Sequence, residues 1–186
     1  MQWNIDAAHS AIEFGVKHLG ISTTKGRFQA FQGSVRTAPD GALRALEVAI
    51  DAASINTNVP DRDAHLKSAD FFDVQQYPEI TYRSTAVTPN PDGTYRIEGD
   101  LTMRGVTRPV SFTAEVEQPV TDPWGNRRIA GRATGKLNRK EWGLTWNQLL
   151  ETGGLVVGEE VRFNLDIEVV AEAAAAEAAS AEAAAA

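Results

Sequence analysis

Val161-Arg162-Phe163-Asn164-Leu165-Asp166-Ile167-Glu168-Val169 is the stretch on which the fold turns. Its odd positions are all apolar and its even positions all polar or charged, which is a strand with one oily face and one wet face. The same alternation recurs upstream. Tyr95, Ile97, Gly99, Leu101 and Met103 alternate with Thr94, Arg96, Glu98, Asp100 and Thr102; Leu46, Val48 and Ile50 alternate with Glu47, Ala49 and Asp51. Ile12, Phe14, Val16 and His18 share a face opposite Glu13 and Lys17. Weaker alternation marks 80–87, 110–120 and 129–137, and over 26–37 the spacing of Phe28 and Phe31 slips and predicts a bulge. About eight strands result.

Turn chemistry separates the strands: Pro39-Asp40-Gly41, Pro91-Asp92-Gly93 and Asp122-Pro123-Trp124-Gly125-Asn126 each place a fixed φ before a residue that tolerates positive φ. Connections this short make neighbouring strands antiparallel. The exception is 60–74, where alternation stops: acids lead the stretch 61–69, predicting one or two helical turns, and Phe71, Phe72 and Val74 follow as a hydrophobic plug. Half-oily antiparallel strands bury their faces either in a sandwich or in a closed barrel. Long strands, about eight of them, with one short helix favour an all-β, eight-stranded antiparallel up-and-down barrel whose interior holds a ligand.

Residues 1–170 form the expected domain. Residues 171–186 comprise 12 Ala, 3 Glu and 1 Ser, a low-complexity tail expected to be helical or disordered and without a role in the site. The formal charge of −7 argues against a general nucleic-acid binder and against an anionic-membrane binder. The absence of cysteine excludes disulfides, thiolate metal sites and cysteine nucleophiles. No apolar run is long enough for a spanning helix, and the opening Met1-Gln2-Trp3-Asn4-Ile5-Asp6 has neither a basic nor an apolar leader region, so no stable membrane insertion and a cytoplasmic location are expected.

His9, His18 and His65 have no metal-binding spacing, and no nucleophile-elbow, phosphate-loop or dinucleotide motif occurs. No metal site is expected. The acids Asp61, Asp63, Asp70 and Asp73 are explained by capping and solvation, and Arg62, Arg104 and Arg108 by pairing with acids. Trp142 and Trp146, four apart in an irregular stretch, are either core or the wall of an apolar cavity.

Several blocks then carry a family pattern: Trp3-Asn4-Ile5-Asp6 with His9-Ser10 and Phe14-Gly15-Val16-Lys17-His18; Gly26-Arg27-Phe28; Ala53-Ser54-Ile55-Asn56-Thr57; the block 62–74 with Tyr77-Pro78; Gly99-Asp100-Leu101-Thr102-Met103-Arg104-Gly105; and Asn138-Arg139 with Trp142-Gly143-Leu144. From residue 3 to about 169 the chain resembles the YceI-like family of polyisoprenoid-binding proteins. The resemblance implies a lipocalin-like barrel around a long hydrophobic pore that holds an isoprenoid chain, and implies no reaction. Many relatives are exported to the periplasm, a pattern from which this opening departs.

Independently of the family, apolar faces turned inward would put Phe14, Val16, Val48, Ile50, Tyr82, Ile97, Leu101, Phe112, Val116, Ile129, Phe163, Leu165 and Ile167 around one oily lumen. Each buried CH₂ contributes about 0.8 kcal/mol, so about ten carbons suffice for micromolar binding before ordering costs. The function expected is non-catalytic binding and carriage of a long isoprenoid-type lipid, with Arg62, His65, Trp142 and Trp146 as candidates for the mouth and head group. No cofactor is expected beyond the bound lipid or quinone, and a homodimer is a reasonable assembly. Two alternatives stand beside this: a lipid-modifying enzyme with His65 as base oriented by Asp63, and a stress-related structural or interaction protein with a filled interior.

Overall fold

The computed structural model describes residues 1–149, 151 and 153–172. The tail beyond Glu172, for which a helix or disorder was the expectation, lies outside the described residues.

Eight walls run up and down around a closed barrel. Three of them are pairs of strands set end to end. The first is β1 (Gln2–Ile5) and β2 (Ala11–His18), broken by a 3-10 turn at Ala7–His9. The second is β3 (Ser22–Phe28) and β4 (Phe31–Thr37), and the third β5 (Leu43–Asp51) and β6 (Ile55–Asn56), broken by a 3-10 turn at Ala52–Ser54. Single strands make the rest: β7 (Glu79–Pro89), β8 (Tyr95–Met103), β9 (Val106–Val116), β11 (Arg127–Asn138) and β12 (Val157–Ala171). The two-residue β10 (Val120–Thr121) is a side arm on β11.

Closure comes from β11 and β12, which pair over Arg128↔Val170 to Asn138↔Glu160, while β11 also holds β9. The other edge of β12 takes β2 along Asp166↔Ala11 to Val157↔His18 and β1 at Val169↔Ile5 to Ala171↔Trp3, which shows that β1 and β2 form one wall.

Two expectations are corrected. The stretch 26–37 is no bulged single strand: the wall starts at Ser22 and breaks at Gln29 and Ala30, where Gln29 N–H turns to Ser54 O at 3.2 Å and Ala30 O accepts from Asp51 N–H at 2.9 Å. The slip between Phe28 and Phe31 records that break. The strand expected at 110–120 runs instead from Val106 to Val116, since Arg104 and Gly105 close a tight hairpin in which both have positive φ, 50° and 72°. The helix is α1 (Pro60–Lys67), with Pro60 at its first turn, Asp61 and Asp63 beside its positive end and His65 and Lys67 beside its negative end. No described helix is long and apolar enough to cross a membrane.

Candidate functional site: an apolar lumen

The inward faces enclose about 310 Å³ of free space, within the range of small-molecule pockets. All thirteen residues placed inside by alternation lie on its wall. Only Ile97 and Ile129 among them are fully buried, whereas the others keep accessible area because the space they face is not filled by side chains. The expectation of a filled interior is thus not what the geometry shows.

Aromatic rings belt the middle: Tyr82 against Phe112 at 5.5 Å and Phe112 against Phe163 at 5.9 Å between centroids. Three of the barrel's rings lie flat on the wall because a glycine sits beneath each. A Cβ on Gly26 would stand 2.4 Å from Phe14 Cζ, on Gly99 2.6 Å from Tyr82 Cζ, and on Gly135 2.2 Å from Phe163 Cζ. Contacts that short are forbidden, so these inward glycines decide whether a ring lies along the barrel wall or stands across the bore. The Tyr82 hydroxyl donates to Val110 O at 3.2 Å, and burial together with Asp100 and Glu98 pushes its ionisation well above the ordinary range, so the lumen holds a neutral phenol.

A fully buried tryptophan sits in the core at each end, and neither lines the lumen. Trp3 donates Nε1–H to Thr37 Oγ1 at 2.9 Å and carries Arg127 over its ring; Trp142 donates Nε1–H to Leu101 O at 3.0 Å. Around Trp142 the end is packed by Phe71, Ile80, Met103 and Leu144, with Leu66 and Phe72 against them. The plug read from Phe71 and Phe72 is therefore real, and both line the lumen.

None of the four mouth candidates lies on the lumen wall. Trp142 is core. Arg62 folds back on its own loop, donating to Thr57 Oγ1 at 2.7 Å and Thr57 O at 2.9 Å. His65 and Trp146 stack edge to face at 4.6 Å with Phe71 behind them, on the outer side of the plug and not on the lumen wall. Asp63 does not orient His65: it accepts from Thr57 N–H and Oγ1–H, and the imidazole Nε2 meets Asp70 at 2.9 Å instead. The spacing of Asp63 and His65, two apart on a helix, points their side chains in different directions, so the proposed catalytic pair is not formed.

Arg139 is the residue that the sequence reading missed. It is 4% exposed, borders the lumen, and donates to the carbonyls of Gly158 (2.9 Å), Leu144 (2.5 Å) and Trp146 (2.9 Å), with Phe71 beneath its guanidinium. Burial lowers its pKa from the ordinary value. One cation thus ties Leu144, Trp146 and Gly158 together beside the Trp142 end. Its signal was parity: Arg139 stands two residues after Leu137, on the inward face of the stretch 129–137, while the pair Asn138-Arg139 was read only as part of a family block.

At the Trp3 end a second arginine does similar work with acids. Arg128 bonds Asp122 at 2.7 Å, Asp6 at 2.8 Å and Glu168 at 2.6 Å, tying β11, β12 and the first turn together. Arg128 first, and His9 at 2.9 Å next, hold the Asp6 carboxyl down at about 2. Asp6, His9 and Glu168 have their ligand atoms within 4.8 Å of one another, but the guanidinium already occupies both carboxylates.

With this barrel in view, the comparisons with known proteins agree. The YceI-like domain model matches residues 3–169. A UPF0312 protein of Staphylococcus aureus strain bovine RF122 is 36% identical over 168 residues, covering 89% of this chain and 95% of its own. Among solved structures, a Campylobacter jejuni YceI protein superposes with TM-score 0.72 at 26% identity over 84% of this chain and 90% of its own. BcnA of Burkholderia cenocepacia gives 0.76 at 22% over 88% and 98%, and a polyisoprenoid binding domain from Saccharophagus degradans 0.72 at 16% over 91% and 98%. A family model spanning nearly the whole described barrel and a full-length relative above a third identity leave one conclusion: the chain belongs to the YceI-like domain family.

Proposed function

We propose that this protein binds a long apolar lipid of isoprenoid type within the barrel and carries it without chemical change. The observation that carries the reading is the lumen: about 310 Å³ of space whose wall is almost wholly aliphatic and aromatic. An apolar cavity that no water can bond within is favourable ground for a hydrocarbon. The fold shared with the Saccharophagus domain, named for polyisoprenoid binding, supports the same reading.

Carriage without catalysis is supported by the placement of the titratable groups. Tyr82 is the lumen's own hydroxyl, held neutral, and Arg139 has its donors turned to carbonyls. Neither is paired with a base or a nucleophile, which acid–base chemistry on a lipid would need. A flexible chain gains about 0.8 kcal/mol per buried CH₂ and pays part of it back in ordering, so length and fit select the guest more than polar contacts do.

Native mass spectrometry of freshly purified protein, followed by solvent extraction, tests this directly. A bound prenyl-chain molecule released on extraction is the expected result. Protein that carries no apolar molecule and takes none up on titration with prenyl alcohols would overturn the reading.

A further inference from the structure

The hairpin of β2 and β3 is built differently from the rest of the barrel. Beyond Arg27 and Phe28, which pair with β6, no described strand lies on the outer side of β3, so residues 22–26 are held by β2 alone. The ribbon ends in Leu19-Gly20-Ile21, with Leu19 in the left-handed region at φ 54° and Ile21 83% exposed. Leu19 N–H bonds Val156 O at 2.9 Å, which brings the tip beside the bridge between Leu149 and Leu155; Leu149 is 82% exposed. Four aliphatic side chains from two segments therefore share one projecting corner.

Charge around that corner runs against the molecule's average. The outward positions of the ribbon carry Lys17 beside the tip and Lys25 and Arg27 farther along β3, against the single acid Glu13, with Glu151 as the exposed acid of the neighbouring segment, and among the described residues none of the three cations is in an ion pair. The chain as a whole has a formal charge of −7. An aliphatic tip with a collar of unpaired cations, on an acidic protein, matches the layering of an anionic bilayer surface: hydrocarbon at depth, phosphates above. The tip holds no aromatic residue, unlike the aromatic-rich faces that bind proteins. On their inner faces the same two strands carry Phe14, Val16 and Phe28, which line the lumen.

We propose that the Leu19–Ile21 hairpin tip, with Leu149 and Leu155 beside it, docks on the surface of an anionic phospholipid bilayer through the Lys17, Lys25 and Arg27 collar, and that lipid passes between bilayer and lumen along this corner. The docking goes beyond the lipid-carrier reading; the passage of lipid rests on it. The contact is peripheral and reversible. It refines the net-charge argument, because a bilayer reads the charge within a Debye length and not the sum over the chain.

The test uses the full chain with vesicles of phosphatidylcholine alone and of phosphatidylcholine mixed with phosphatidylglycerol. Flotation of the wild type with the mixed vesicles, weakened by salt, is expected, with about a tenfold loss in Ile21→Glu and a similar loss in the triple variant Lys17→Gln, Lys25→Gln, Arg27→Gln. All four positions are exposed and off the lumen wall, so uptake of farnesol from buffer is expected to stay unchanged in both variants. Wild type that ignores mixed vesicles, or variants that float as the wild type does, would overturn the docking. A dimer in vesicle-free buffer that Ile21→Glu splits, without vesicle binding, would also overturn it and make the corner a contact between two copies. Vesicle binding without any lipid uptake would refute the carrier reading and leave the docking standing.

Discussion

The glycines under the lumen aromatics give the sharpest perturbation. At Gly135 a Cβ would lie 2.2 Å from Phe163 Cζ and 2.8 and 2.9 Å from its two Cε atoms. Carbon atoms pack at about 3.5–4.0 Å, so in Gly135→Ala the ring edge must retreat by about 1.5 Å. The strand backbone blocks it on one side, and the lumen is the open direction. A ring standing across a bore of about 310 Å³ takes room from the guest. If it displaces one five-carbon prenyl unit, about five methylene equivalents at ~0.8 kcal/mol set a ceiling near 4 kcal/mol, several hundredfold in affinity. Partial displacement makes about ten- to hundredfold the expected loss, largest for the longest chains, with about 1–3 kcal/mol of stability lost to overpacking.

The assay is calorimetric titration with a ladder of all-trans prenyl alcohols, alongside urea unfolding of each variant. Gly135→Ala combined with Phe163→Leu should recover binding, because leucine has no atom where Cε and Cζ stood. Gly131→Ala, on the same strand, is the control: its Cβ would meet only Glu115 O at 3.3 Å and Val116 Cγ2 at 3.8 Å. A folded Gly135→Ala protein with the wild-type affinity for every chain length would refute the claim that glycines set the bore.

Other outcomes follow from the same geometry. Leu101→Arg puts an unpaired cation on the lumen wall and is expected to abolish lipid uptake in protein that still folds, as read by extraction. Arg139→Met leaves the carbonyls of Gly158, Leu144 and Trp146 without their donors and should cost at least about 3 kcal/mol in urea unfolding, with the near-ultraviolet signal of the tryptophans altered. His65→Ala is expected to leave prenyl-alcohol affinity within about twofold, since its ring lies outside the plug; a loss of turnover on any lipid with binding intact would revive an enzymatic role. The Asp6 carboxyl titrates at about 2 when folded, below its ordinary 3.8, so its contribution to stability is full above about pH 4 and is lost as pH falls toward 2. Arg128→Gln removes the main cause, and its acid-unfolding midpoint, followed by circular dichroism, should therefore rise.

Much of the barrel and its interior was legible beforehand because period-two alternation is a local property: a residue's face is set by its own place in the strand, and closing the strands into a ring sends every apolar face to the same space. Phe14, Tyr82, Ile97 and Phe163 could be placed inside without knowing a single pairing. The ends were not legible in this way. Trp142, Arg62, His65 and Trp146 were grouped at a mouth by their chemistry, yet none of them lines the lumen: Trp142 is bound to Leu101 O, Arg62 to Thr57, and His65 with Trp146 sits behind the plug. Irregular loops have no period from which a direction can be read, so where 68–78 and 143–149 fold depends on partners such as Arg104, which reaches Ala69 O and Gly143 O, and Arg139.

By itself, then, the sequence determined that strands would form, which side of each is oily, and that one helix and a pair of phenylalanines interrupt them. Only the tertiary structure decided that three walls are broken, that one buried arginine among carbonyls organises one end, and that glycines on neighbouring strands hold rings flat to keep the bore open. The physical reason is range. Alternation is written in residues two apart, whereas a glycine beneath a ring, or a guanidinium among three carbonyls, exists only once strands and loops distant in the chain are brought within a few ångströms.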